Sequence, residues 1–129
     1  MSTITRYVST DLDIFSRQDL STLAAFFQDC VCILHCGWRE ETLFQLSLEL
    51  ATDDYASIES DLDALLTAAE HLPEELKPLW CSALEVDFNL VFEAGGHHRH
   101  RVKIPASLLK RVVALNGTLS ITAYPLDAD

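Results

Sequence analysis

The chain has 129 residues, of which 20 are acidic and nine are basic, so its formal net charge is −11 with neutral histidines. Nearly half of the residues are hydrophobic (49%) and glycine and proline number only four each, which excludes collagen-like, low-complexity and disordered chains. The length predicts one domain over residues 1–129. With no apolar run of about 18–20 residues and no signal-peptide pattern at the N-terminus, we expect a cytoplasmic protein.

The acidic excess lies in one segment of the chain. Residues 40–75 contain 11 acidic residues and no lysine or arginine, whereas the rest of the chain has nine acidic and nine basic residues. Five of the nine basic residues fall within 99–111, beside three histidines. Phosphate contacts need clustered lysine and arginine, so this balance indicates neither a nucleic-acid partner nor an anionic membrane partner.

The first half of the chain reads as strand, helix and hairpin. Alternation predicts a strand over residues 4–14, and Ser16, with Asp19 three residues later, predicts the start of a helix that runs to residue 29. Residues 30–36 are almost continuously apolar, which indicates a central strand covered on both faces. Residues 42–50 alternate between apolar and polar types, which predicts a half-buried strand paired with the preceding one.

The second half begins with a long helix over residues 53–72, which Thr52 or Asp53 is predicted to cap. Residues 84–93 alternate cleanly as a strand, and residues 97–104 are predicted to return beside it through a three-residue loop. That register places Phe88 opposite Val102. A helix opens at Pro105 and stops at residues 116–117, and residues 118–124 form the last strand.

These elements predict an α+β fold. We expect one mostly antiparallel sheet of five to six strands, with two or three helices on one face, in a ferredoxin-like or related arrangement. An unpaired edge strand, such as residues 4–14 or 97–104, would allow pairing across a homodimer.

The four cysteines suit a protein interior better than a metal site. Cys30, Cys32 and Cys36 lie close together, but this spacing departs from that of zinc knuckles and no second ligand pair follows. Cysteine is among the most buried residue types, so core positions are the favoured interpretation and we expect no cofactor.

The segment His97–His100 is the alternative candidate site. His98 and His100 share one face of the predicted strand, and two imidazoles at this spacing can bind one metal ion or a small ligand. The competing interpretation is that these histidines have only a structural role at the open end of the sheet and bind no ligand.

The acidic segment is the leading candidate for a partner surface. Charge complementarity to a basic protein would mainly speed association, whereas the competing interpretation is a solvated helix face. Trp38, at the expected hairpin tip, is a typical interface aromatic. The candidate partner-binding residues are Trp38, Asp54, Glu59, Asp61 and Asp63.

The second half of the chain resembles small bacterial α+β domains of unknown function. The likeness rests on SDLDALLTAAEHLP, on DFNLVFEA and on LLKRVVALNGTLSITAYP, and it spans residues 40–125. Some such domains are similar to immunity proteins that neutralise bacterial toxins, which implies an acidic, non-catalytic protein. The resemblance carries no catalytic residues.

No phosphate-binding loop, nucleophile elbow or acid–base–nucleophile set is recognisable in the sequence. We therefore expect a non-catalytic binding protein whose protein partner is unknown. The alternative is a small-molecule or metal-binding domain that uses the His97–His100 corner.

Overall fold

The computed structural model describes residues 5–51, 57–96 and 99–125. The elements within them, in chain order, are β1 (Arg6–Ser16), α1 (Ser21–Phe27), β2 (Val31–Glu40), β3 (Leu43–Leu50), α2 (Ile58–Glu70), α3 (Lys77–Cys81), β4 (Glu85–Ala94), α4 (Ala106–Ala114) and β5 (Thr118–Pro125). Among the described residues, no helix combines the length and the apolarity that crossing a membrane requires.

The strands form one sheet in the order β2-β3-β1-β4-β5. The pairs β2–β3, β3–β1 and β1–β4 are antiparallel, and only β4–β5 is parallel. The first four strands, with α1 and α2, follow the split β–α–β arrangement of ferredoxin-like domains, and α4 with β5 extends it at the β4 side. The predicted α+β class with a mostly antiparallel sheet is confirmed.

The core lies on one face of this sheet. From Thr10 to Ser16, buried side chains of β1 on that face alternate with partly exposed side chains on the other. Leu12 pairs with Leu48 of β3 on one side and with Phe88 of β4 on the other, and all three are buried. The same core contains buried residues from all four helices, so the helices lie on one face, as predicted. The opposite side of the sheet is called the open face below.

The long helix begins later than predicted. Ser57 is the N-cap of α2, and its hydroxyl accepts from the Ser60 amide at 3.1 Å while the Ser60 hydroxyl accepts from the Ser57 amide at 3.3 Å. This reciprocal capping box satisfies two amide groups that the first turn leaves without helical partners. The predicted caps Thr52 and Asp53, and the candidate partner residue Asp54, lie outside the described residues.

The first helix also begins later than predicted. Ser16 belongs to β1, where it is buried, and α1 starts only at Ser21. The Asp19 carboxylate accepts a hydrogen bond from the Ser21 amide at 2.8 Å, so it shapes the turn before the helix instead of completing a capping box.

The predicted hairpin of residues 84–93 with 97–104 is wrong. The first strand exists as β4, but residues 99–104 form no strand. Both sides of β4 are occupied, by β1 and by β5, so no ladder position remains for a returning strand. Gly96 adopts a positive φ of 66° at the start of the connection that leads from β4 to α4.

The predicted edges of the sheet are also wrong. Strand β1 is paired on both sides, and within the described residues the edges are β2 and β5. Strand β2 was expected at the centre, yet among the described strands it has only β3 as a neighbour, and most of its side chains are exposed. All four cysteines are free and exposed, so their predicted core positions are wrong.

Gly117 allows the close approach of α4 to β4. A Cβ atom there would lie 3.0 Å from Phe88 Cε2 and 3.1 Å from the Val112 carbonyl oxygen, whereas at Gly37 the nearest atom would be 3.9 Å away. Gly117→Ala is expected to lower the free energy of unfolding by about 1–3 kcal/mol through overpacking. Urea denaturation measures this, with Gly37→Ala as the matched control. Equal effects of the two substitutions would contradict the packing argument.

Candidate binding surface

The outer edge of β2 carries large apolar side chains in contact with solvent. Pairing with β3 places Ile33, Cys36 and Trp38 on the helix side of the sheet, opposite Leu48, Leu46 and Phe44. Because no described strand lies outside β2, Ile33 and Trp38 remain 38% and 49% exposed. An unpaired strand edge offers free backbone hydrogen-bonding groups, and here apolar side chains accompany it.

Two register shifts shape this edge. One lies between Ile33 and His35, where Leu34 is the extra residue and is 50% exposed. The other lies between Trp38 and Glu40. Bulges of this kind disrupt pairing locally, so they divide the edge into two short regular stretches, residues 31–33 and residues 35–38.

Trp38 lies within β2, whereas the sequence placed it at a hairpin tip. Its ring packs edge-on against Phe44, with 5.1 Å between the ring centroids. This contact holds one side of the indole while about half of the residue stays exposed. A large aromatic side chain that is fixed and exposed is typical of interface anchors.

Next to this edge, the open face bears a stripe of four carboxylates. The acidic stripe consists of Asp11, Asp13, Glu49 and Asp87, contributed by three neighbouring strands. Asp11 lies opposite Glu49, and Asp13 lies opposite Asp87. Like charges directly opposite each other repel. Among the described residues, none of the four carboxylates forms a salt bridge.

Burial and neighbouring carboxylates change the ionisation of two members of the stripe, Asp11 and Asp13. Burial, with the neighbouring charges of Glu49 and Asp13, raises the pKa of Asp11 to about 6. Burial also raises the pKa of Asp13, with a further contribution from Asp87, while a hydrogen bond with Ser47 opposes it. The stripe therefore holds negative charge that no basic side chain of the described chain compensates.

Asp87 is the most buried member of the acidic stripe. Its Oδ1 atom accepts hydrogen bonds from the hydroxyls of Thr118 and Ser120, both at 2.7 Å. One strand position further on, the Thr122 hydroxyl donates to Asn89 Oδ1 at 2.8 Å. These bonds join β5 to β4 on the open face. They also give the three hydroxyl groups of β5 hydrogen-bond partners within the protein.

The three described acidic candidates on α2 have different environments. Glu59 is exposed in the first turn. Asp61 is buried, with 7% of its surface exposed, and its carboxylate accepts from the Tyr7 hydroxyl at 2.6 Å. A tyrosine hydroxyl has one proton, and here it is donated to Asp61. The Thr10 hydroxyl must therefore donate to the Tyr7 oxygen, 2.6 Å away. Asp61 thus joins α2 to β1 and is not free for a partner.

Asp63 is engaged by the basic region of the chain. Arg111 of α4 donates to Asp63 Oδ1 at 2.6 Å and to both Glu70 oxygens at 2.8 and 2.9 Å. Hydrogen bonds from Arg111 hold the pKa of Glu70 below its usual range. The acidic helix α2 and the basic helix α4, which are separate in sequence, therefore partly neutralise each other's charge.

The histidine corner is only partly described. His98 lies outside the described residues, and His100 is exposed, with its ring 5.4 Å from that of Phe92 in an edge-on contact. Residues 99–104 form no strand, so the shared strand face on which the metal interpretation rested is absent there. Within the described ranges, no group of three or more histidine, cysteine or acidic residues is arranged to hold a metal ion.

No family model matches this chain, and no match is found among curated proteins or solved structures. The resemblance to immunity-like domains therefore stays a prediction.

The acidic stripe and the exposed edge are the features that sequence reasoning missed. Asp11 and Asp13 were recognisable as the polar side of a strand, but their proximity to Glu49 and Asp87 follows only from the order of the strands. The available signal was the alternation itself, which placed each of these residues opposite the core face.

The titration of Asp11 predicts a pH-dependent stability. Its pKa is about 6 in the folded chain against an ordinary value of 3.8. Between these values the folded state binds more protons at Asp11, so the contribution of Asp11 to stability falls as pH rises through this window and is constant above it. Asp11→Asn is expected to raise the free energy of unfolding by about 1 kcal/mol near pH 7.5, allowing for solvent screening, and to have little effect near pH 4. Urea denaturation across pH tests this, and a gain that does not depend on pH would refute it.

The bond from Tyr7 to Asp61 predicts different roles for two acidic residues in one helical turn. Asp61→Ala is expected to lower the free energy of unfolding by about 1–3 kcal/mol, because the half-buried Tyr7 hydroxyl loses its acceptor. Glu59→Ala, at an exposed position, is expected to change it by about 0.5 kcal/mol or less. Thermal and urea denaturation of both variants provide the comparison. If both cost the same, Asp61 has no special structural role.

Proposed function

We propose that this protein is a binding module that takes up a short extended segment of a partner protein as an added strand beside β2. The observation that carries the proposal is the unpaired, apolar outer edge of β2. Strand addition supplies backbone hydrogen bonds for affinity, and alternate side chains on the added strand supply specificity.

The helix side of the edge favours apolar residues in the partner. Ile33 and Trp38 are exposed there and Cys36 lies between them. A strand placed about 4.8 Å away would cover these side chains on the side that β3 leaves open. The apolar area removed from water stabilises such a complex by about 25 cal/mol per Å² before the cost of association is subtracted.

The open-face side of the added strand faces a negative field. Glu49 on β3 lies one strand inward from β2, so an added strand would run on the order of 10 Å from it. That distance is close to one Debye length at physiological salt, so attraction of basic residues would be modest and sensitive to salt. The partner segment we propose alternates apolar with basic residues.

The two bulges of β2 set the length of the partner segment. The longer regular stretch covers residues 35–38, with Ile33 at the end of the shorter one, and stretches of this length match a short peptide strand better than the long edge of another sheet. This four-residue stretch contains neither lysine nor proline, the residues that commonly block edge pairing.

A synthetic octapeptide that alternates valine with lysine tests the proposal. We expect saturable binding with NMR amide shifts confined to β2 and its surroundings, and weakening as salt is raised. The same peptide with glutamate in place of lysine is expected to bind at least about tenfold more weakly. A lysine peptide with proline at its centre is expected not to bind.

Two matched variants locate the site. Ile33→Lys places a charge on the outer edge of β2 and is expected to abolish peptide binding. Ile121→Lys makes the same change on the other edge strand, at a residue that is 58% exposed, and is expected to bind like the unmodified protein. If both variants bind normally, or if the shifts map elsewhere, the proposed edge is wrong.

Sedimentation of the protein alone separates this proposal from self-association. We expect a monomer, because in the proposal the outer edge of β2 pairs with a partner segment and not with a second copy of the chain. A concentration-dependent dimer that Ile33→Lys dissolves would show that a second copy of the chain occupies the edge, and it would overturn the proposed partner.

A further inference from the structure

A pocket of about 290 Å³ opens among the helices, where the C-terminal ends of α2 and α4 meet α3. Leu72, Trp80 and Leu115 form apolar walls, and two small residues, Ala69 and Ala114, leave the space open. This pocket lies on the helix side of the sheet, apart from the open face and from β2.

The charged side chains around the pocket and the Trp80 indole already have partners within the protein. The Trp80 indole donates to the Leu115 carbonyl oxygen at 2.9 Å, so the ring is held in place without a free donor. At the rim, Lys77 pairs with Glu74 at 2.8 Å, and Glu70 pairs with Arg111 at 2.8 Å. The pocket therefore offers apolar surface and no uncompensated charge to a ligand.

We infer that this pocket binds a small, neutral, largely apolar molecule of one or two rings. An engineered protein cavity of about 150 Å³ is large enough to hold benzene. The space here, about 290 Å³, is nearly twice as large and suits a bicyclic ring. A charged ligand would lose hydration without gaining a partner, so the internal pairing at the rim selects against it.

The wall of the pocket is organised in advance for a ring. Besides its hydrogen bond, Trp80 packs edge-on against Phe27, with 6.5 Å between ring centroids. The indole is thus fixed from two sides and need not be ordered when a ligand binds, which reduces the entropic cost of binding. Aromatic rings contact one another favourably in offset or edge-on arrangements, and this favours an aromatic ligand.

Fluorine NMR of protein labelled with 5-fluorotryptophan tests this site. The chain contains two tryptophans, so two signals are expected, and Trp38→Phe assigns them. On titration with naphthalene, the Trp80 signal is expected to shift to saturation while the Trp38 signal stays in place. No shift of Trp80, or equal shifts of both signals, would overturn the inference.

A matched pair of variants locates the ligand. Ala114→Phe places a ring in the pocket and is expected to remove the naphthalene-dependent shift. Ala106→Phe makes the same change at an exposed position at the other end of α4, outside the pocket, and is expected to preserve it. Retained binding in Ala114→Phe would overturn the assignment.

If Ala114→Phe does not fold, ligand binding is tested in the protein with an unmodified pocket. Cys81 lies at the pocket and is exposed, whereas Cys36 is exposed on β2. Naphthalene is expected to slow alkylation of Cys81 by iodoacetamide at least about threefold and to leave Cys36 unaffected. Equal rates at Cys81 with and without naphthalene would overturn the inference. None of these outcomes depends on strand addition at β2.

Discussion

The structure depends on the position of β1 between two antiparallel neighbours. Its register sets Leu12 between Leu48 and Phe88 on the helix side, and one residue later it sets Asp13 between Ser47 and Asp87 on the open face. A slip by one residue would carry the polar side chains into the core. The apolar core therefore fixes the acidic stripe: the register that buries the leucines also places the carboxylates opposite one another.

Charge along the chain and charge on the folded surface are different quantities here. The 11 acidic residues of segment 40–75 suggested one acidic helix face. In the fold, however, Asp61 accepts from Tyr7 inside the protein, and Asp63 pairs with Arg111. A second group of carboxylates, the acidic stripe, comes from three strands that lie far apart in sequence, and the proximity of its members depends on strand pairing.

The limits of the sequence reasoning have the same physical origin. Alternation in residues 84–93 and 42–50 correctly predicted β4 and β3, because period two reports a half-buried strand. Asn116, with φ of 60°, ends α4 as the Asn-Gly pair predicted. The order of strands in the sheet, in contrast, depends on which of all the possible strand pairings are most stable together. Residues 97–104 offered good pairs to β4, but β5 takes that position in parallel, and alternation alone cannot decide between them.

The continuous apolar run in residues 30–36 was misleading for a related reason. Such a run indicates burial when neighbours cover both faces, yet the hairpin places β3 inside and leaves β2 at the edge. The apolar residues of β2 thus cannot be explained by the core of the single chain.

On β5, the hydroxyls of Thr118, Ser120 and Thr122 bond to β4. The preceding helix, α4, is also tied to α2 through Arg111. This edge is therefore linked to the rest of the fold by its side chains and by its helix. On β2, by contrast, Ile33 and Leu34 face solvent, and Trp38 is held by Phe44 on one side only. Apolar side chains are thus exposed at both edges, Ile121 and Tyr124 of β5 included, but the row of hydroxyl bonds to the neighbouring strand is found at β5, and this is why we place partner binding at β2.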